Sequence, residues 1–103
     1  MKNNKEIMLI REDWTIRVDA KSWAEMLLFL NDNGWKPDNL LSSFLGEREV
    51  SDLEAKKINV AGQKILDNAI KNPFLVYPVL FDMGKFSEIV YFCEEGSFNI
   101  SSG

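Results

Sequence analysis

The segment from 51 to 73 carries both ends of a helix in its own sequence, and this constrains the fold more than any other feature. Ser51-Asp52-Leu53-Glu54 is a capping box, in which the serine hydroxyl accepts from the Glu54 N–H and the Glu54 side chain reaches back to the serine N–H. Asn72-Pro73 ends the segment, because a residue before proline is pushed out of the helical region. We therefore predict a helix from Asp52 to about Lys71 with one apolar face.

The remaining elements follow from similar signals of periodicity and capping. Alternation predicts a strand within Met8 to Val18, and whether Ile7 to Ile10 forms a separate strand of a hairpin stays open. Asp19 is in position to cap a helix at Ala20 to Asp32, which Asn33-Gly34 ends. Two further elements are predicted, a third helix over about Lys85 to Glu95 and a closing strand around Phe98 to Ile100 that pairs with the first.

The pattern is weakest between Asp38 and Val50. Leu40 to Leu45 fits either one helical turn or a loop on the core, and Gly46 to Glu49 fits an exposed turn. Since 103 residues make one ordinary domain, we predict a single compact domain over 1–103 of the α+β class. Its architecture is an N-terminal strand or hairpin, three helices and a short C-terminal strand.

Composition argues against several classes of function. The chain has no histidine and one cysteine, and its 12 basic and 16 acidic residues give a formal net charge of −4. Because the basic residues alternate with acids, no basic stripe for nucleic acid is expected. The sequence has no apolar run that approaches a membrane span or a signal-peptide core. We therefore expect a cytoplasmic protein that does not bind a membrane.

Candidate chemistry is sparse. Without histidine, serine or cysteine nucleophiles lack their usual base, and Cys93 on an apolar helix stripe fits core packing. A carboxylate-based enzyme, using Asp13, Glu47 and Glu49 in predicted turns, is a less favoured alternative, ahead only of nucleic-acid binding. No cofactor and no metal site is expected.

Aromatic residues are the better candidates for a binding site. Trp35 follows a helix end in Gly34-Trp35-Lys36-Pro37, where its ring either plugs the core edge or stands in a recognition surface. The apolar run Pro73 to Phe81, with Phe74 and Tyr77, fits burial and a homodimer interface equally well. A pocket lined by Trp14, Trp35 and Phe44 would instead suit a small-molecule ligand.

Three short motifs carry a resemblance to a known family. They are Gly34-Trp35-Lys36-Pro37, the helix start Val50 to Ala55, and Phe92 to Ile100 at the end of the chain. The chain resembles a functionally uncharacterised family of small bacterial proteins with a GWxP turn, a V-S-x-x-(D/E)-A helix start and an F-C-x-x-G-G-F-x-I terminus. It departs from that pattern at Ser97, where a second glycine is expected. The resemblance implies no catalytic residues.

The sequence therefore predicts a non-enzymatic interaction protein, immunity-like or regulatory, that binds a protein partner or itself. The predicted surface lies near Trp35 and the segment from Pro73 to Phe81, with Glu47 and Glu49 at its rim. A small-molecule sensor with an aromatic pocket is the alternative.

Overall fold

The computed structural model describes residues 5–37, 41–72, 79 and 81–102. These ranges contain four strands and three α-helices, and a short 3₁₀ helix, Leu41–Leu45, lies between the first helix and the third strand. In chain order the elements are β1 (Glu6–Arg11), β2 (Trp14–Asp19), α1 (Ala20–Asp32), β3 (Arg48–Val50), α2 (Asp52–Lys71), α3 (Met83–Glu94) and β4 (Phe98–Ser102).

The strands form one antiparallel sheet in the order β2-β1-β4-β3. The predicted α+β class and the pairing of the C-terminal strand with the first are both confirmed. The question left open at the N-terminus is resolved as a hairpin, in which Arg11 is opposite Trp14 across a turn at Glu12 and Asp13.

The prediction of an exposed turn over Gly46 to Glu49 is wrong for Arg48 and Glu49. Arg48 to Val50 form β3, whose residues pair with Ile100, Asn99 and Phe98 of β4. Three residues are too few for alternation to reveal a strand, so only the partner strand makes this element recognisable.

One face of the sheet packs on the helices. Ile7 and Leu9 of β1 are opposite Val18 and Ile16 of β2, and all four side chains are buried. Because successive strand residues point to opposite faces, this register sends the apolar residues of both strands to the same side. The other two strands add Val50, Phe98 and Ile100 to that buried face.

The helices begin where the sequence places their caps. Asp19 accepts from the N–H groups of Lys21 and Ser22, and the capping box between Ser51 and Glu54 has both of its hydrogen bonds. The third helix begins two residues before the predicted Lys85, because the Asp82 carboxylate accepts from the Gly84 N–H and caps an earlier turn.

The helices α1 and α3 contact α2 to different extents. The contact of α2 with α3 is far more extensive than its contact with α1. At its centre, Gly62 lies so close to α3 that an added Cβ would collide with the Val90 side chain. The Asn59 amide nitrogen also donates to the Val90 carbonyl over 2.8 Å. This side of α2 is therefore closed, whereas the side toward the end of α1 is open.

Much of the apolar run Pro73 to Phe81 lies outside the described residues. Of the part that is described, Phe81 is buried and Val79 packs against the core. Among the helices described, none combines the length and the apolarity needed to cross a membrane.

Candidate functional site

Two of the predicted binding residues, Trp35 and Phe44, pack against each other inside the molecule. Their ring centroids are 5.3 Å apart in an edge-to-face arrangement, and Phe44 has no exposed surface. The Trp23 indole N–H donates to the Phe44 carbonyl over 2.7 Å, which fixes the backbone there. This corrects the expectation that Phe44 lines a pocket, because its ring is fully enclosed by the core.

Trp35 fills the edge of the core, which is the first of the two roles that its sequence position left open. Only 3% of its surface is exposed. The turn that holds it is closed by the Trp35 N–H donating to the Leu30 carbonyl and by the Asn31 side chain donating to the Trp35 carbonyl, both at 2.9 Å. Gly34, with φ of 114°, supplies the left-handed backbone that this turn requires.

Trp14 packs against α3 and not against Trp35 or Phe44. It is 38% exposed and contacts the Phe92 ring edge-to-face at 5.0 Å between centroids. The Arg11 guanidinium lies over the same Phe92 ring, 4.1 Å from its centroid. The structure therefore does not bring Trp14, Trp35 and Phe44 together around one pocket.

The two residues of the predicted acidic rim are separated by an arginine that points into the molecule. Glu47 and Glu49 are both exposed, and Glu49 lies within β3. Arg48, between them, turns inward: its Nη2 donates to both oxygens of the Glu54 carboxylate at 2.7 and 2.8 Å, and its guanidinium lies 4.5 Å from the Phe44 ring centroid. The other two predicted binding residues, Phe74 and Tyr77, lie outside the described residues.

A surface hollow of about 490 Å³ lies between α2 and the turn that follows α1. We call it the α2 groove, and it is lined by Asn33, Gly34, Trp35, Lys36, Leu53, Lys56, Lys57, Val60, Ala61 and Lys64. Its lining is mainly apolar, and two of the contributing side chains are strongly exposed: Leu53 at 63% and Val60 at 56%. Exposed aliphatic side chains at the mouth of a groove are typical of a contact surface.

Four lysines also line the α2 groove, and the three whose side chains are most exposed stand at its solvent side. Lys36 approaches from the turn after α1, and Lys56, Lys57 and Lys64 come from α2. For Lys36, Lys56 and Lys64 the described residues provide no carboxylate within 4.0 Å. The α2 groove is therefore apolar at its floor and positively charged at its rim, on a chain whose net charge is −4.

Sequence reasoning missed the α2 groove. The basic residues alternate with acids along the chain, but Lys57, Lys64 and Lys71 recur at intervals of seven and so fall on one line of the helix. Leu53 and Val60 repeat the same interval. This pattern was readable from the sequence, whereas the position of the Trp35 turn beside it was not.

A second hollow of about 410 Å³ lies near the sheet end of α2, and its lining includes the carboxylates of Glu12, Glu49, Asp52 and Glu95. Asp52 accepts from the Ser97 N–H over 2.7 Å, while Arg11 donates to the carbonyls of Gly96 and Ser97. These contacts hold the turn between α3 and β4 in place. Within the described ranges no group of three or more possible ligands is arranged to hold a metal ion.

In the described part of the chain, the pKa values of Asp19 and Cys93 are shifted from their ordinary values. The Ser22 hydroxyl, which hydrogen-bonds to the Asp19 carboxylate, holds the pKa of Asp19 below its ordinary value, and backbone N–H groups of the first helical turn act in the same direction. Burial raises the pKa of the Cys93 thiol to about 12, against the opposing charge of Arg11. Cys93 is enclosed in the core, as the sequence predicted.

Comparison of the chain with models of protein families, with curated proteins and with solved structures finds no match. The fold belongs to the α+β class.

Proposed function

We propose that this chain is a non-enzymatic binding protein that receives a segment of a partner protein in the α2 groove. The observation that carries the proposal is the combination of an apolar floor with a lysine rim. Apolar contact supplies the affinity in such a groove, and the surrounding charges select the partner and speed its approach.

The shape of the α2 groove favours a macromolecular partner over a small ligand. It is an open trough along the helix, with Leu53 and Val60 standing at its surface. Small-molecule sites enclose most of their ligand and place a few polar groups around it. A protein segment can instead cover Leu53 and Val60 together while its own charged side chains meet the lysines.

The ionisable side chains of the α2 groove also favour binding over catalysis. All of them are lysines, and Lys36, Lys56 and Lys64 are exposed to solvent. A lysine that acts as a nucleophile is usually activated by removal from water into an apolar pocket or by a second cation held against it. Exposed ammonium groups around an apolar floor suit the attraction of an anionic partner. Neutralisation of such a partner, as an immunity protein performs it, is one form that this function takes.

Site-specific photocrosslinking tests the proposal. A photoreactive amino acid replaces Val60 in the groove or, as the matched control, Ile70, which is 78% exposed on the same helix and does not line the groove. Each protein is expressed in the native host and irradiated. We expect a discrete adduct from position 60 that is absent from position 70.

The same adduct must depend on the lysine rim. Adding Lys56→Glu and Lys64→Glu to the position-60 protein should abolish the adduct, whereas Lys5→Glu, at a lysine outside the groove, should leave it unchanged. An adduct of twice the 11.8 kDa chain mass would identify a second copy as the partner. Equal labelling from positions 60 and 70, or an adduct that survives both charge reversals, would refute the proposal.

A further inference from the structure

We infer that the occupant of the α2 groove is an acidic, amphipathic α-helix of the partner protein. This inference rests on the function proposed above and adds the chemistry and the conformation of the bound segment.

The spacing of the exposed side chains on α2 is the first argument. Leu53 and Val60 are two helical turns apart, which places them about 10.5 Å from each other along the axis. Lys57 and Lys64 repeat that interval beside them, and both line the groove. A second helix lying along α2 presents its own side chains at the same interval, so apolar and acidic residues two turns apart meet both rows at once.

The absence of a strand edge beside the groove is the second argument. The described lining comes from α2 and from the turn Asn33 to Lys36, and it includes no strand residue. An extended peptide that leaves water needs partners for its backbone N–H and C=O groups, which a sheet edge normally supplies. A helix satisfies those groups internally, so it can bind through side chains alone.

The distribution of charge selects an acidic protein segment over a nucleic acid. The groove lysines of α2 lie between Lys56 and Lys64, and the second hollow, whose lining has four carboxylates beside Arg11, includes Asp52 at the N-terminal end of the same helix. A long polyanion that follows these lysines toward the start of α2 would meet those acids. Trp35 is also too deeply buried to offer a ring face on which a base could stack.

Binding of defined peptides to the 103-residue chain tests the inference by fluorescence anisotropy. The probe is a labelled 15-residue peptide with leucines at i, i+3 and i+7 and glutamates on the flanking positions. One control peptide has the same composition with the leucines dispersed around the helix, and another has lysine in place of every glutamate. We expect both controls to bind at least tenfold more weakly than the probe.

Protein variants locate the binding and test its charge dependence. Val60→Glu and the Lys56→Glu, Lys64→Glu pair should each weaken binding of the acidic probe at least tenfold, and Ile70→Glu should change it less than twofold. Raising the salt concentration from 0.05 to 0.5 M should also weaken binding, because salt screens exposed charges. A circular-dichroism spectrum of each variant confirms that it is folded.

Three results would overturn the inference. They are equal binding of the acidic and dispersed peptides, tighter binding of the lysine peptide, and a single-stranded RNA oligonucleotide that binds the protein as tightly as the acidic probe at 0.15 M salt. Each leaves the photocrosslinking result intact, so failure here is distinguishable from failure of the proposed function.

Discussion

The two sides of α2 differ in how closely other parts of the chain pack against them. Toward α3 the helix is packed without a gap, with Gly62 against Val90 and the Asn59 amide bonded to the Val90 carbonyl. Toward the end of α1 it leaves a groove in which Leu53 and Val60 remain exposed among lysines. Both sides carry apolar residues, so apolarity alone does not distinguish core from contact surface.

The size of the side chains and the charges beside them make the difference. A glycine at the centre of one side lets the two helices approach until no space is left. Lysines flank the aliphatic residues on the other side, and their charged ends favour water, so covering this face is favourable only for a segment whose own acidic side chains pair with them. The closed side supplies stability, and the open side is available for a partner.

The largest expected effect tests the closed side. Gly62→Ala gains about 0.5–1 kcal/mol in helix propensity but forces a methyl group into Val90. Overpacking costs about 1–3 kcal/mol, and this collision lies at the upper end because the methyl group would overlap both Cγ atoms of Val90. We expect a net loss of about 2 kcal/mol in the free energy of unfolding, measured by urea denaturation. Gly46→Ala is the control, because an added Cβ there has no atom within 4 Å. Equal stability of the two variants would contradict the close approach of α2 and α3.

The buried thiol gives the next largest effect, through pH. The pKa of Cys93 rises from an ordinary 9.0 to about 12 in the folded protein, so between these values the unfolded chain has lost a proton that the folded chain retains. Stability therefore falls as the pH rises above 9. The difference in unfolding free energy between the wild type and Cys93→Ala should be about 1.4 kcal/mol smaller at pH 10 than at pH 7. A pH-independent difference would show that the thiol is not enclosed.

The hydrogen bond between the helices is expected to have a smaller effect. Asn59→Ala removes the donor to the Val90 carbonyl and should lower the free energy of unfolding by about 1 kcal/mol. Asn68→Ala, at an exposed position of the same helix, serves as the control and should change stability by less than about 0.5 kcal/mol. Urea denaturation of both variants measures the difference. Similar losses would show that the hydrogen bond from Asn59 does not stabilise the contact between α2 and α3.

The smallest effect on stability is expected on the open side. Val60→Glu exchanges an exposed residue for a better helix former and places a glutamate four residues before Lys64, which is the favourable orientation. Its free energy of unfolding should lie within about 0.5 kcal/mol of the wild type, although the same change is expected to weaken binding of the acidic probe at least tenfold. A loss of more than 1 kcal/mol would mean that Val60 belongs to the core, which would erase the contrast between the two sides.

Local signals in the sequence predicted the elements that carry their own boundaries. The capping box at Ser51 and the N-cap at Asp19 placed the starts of α2 and α1, since a cap acts through hydrogen bonds to residues two or three positions away. The strand β3 was not predicted, because its pairing with β4 involves residues about fifty positions away. Phe44 was misassigned to a pocket for the same reason: the indole N–H bonded to its carbonyl belongs to Trp23, on another element.

In the candidate site, too, one part follows from local sequence and another part follows only from tertiary structure. The intervals of seven that align Leu53 with Val60 and Lys57 with Lys64 are properties of the sequence, because helical periodicity converts them into rows on one face. Only the tertiary structure decided that this face borders a groove. The turn after α1 brings Trp35 against α2 without closing over the lysines, and that placement depends on long-range packing which no local interaction encodes.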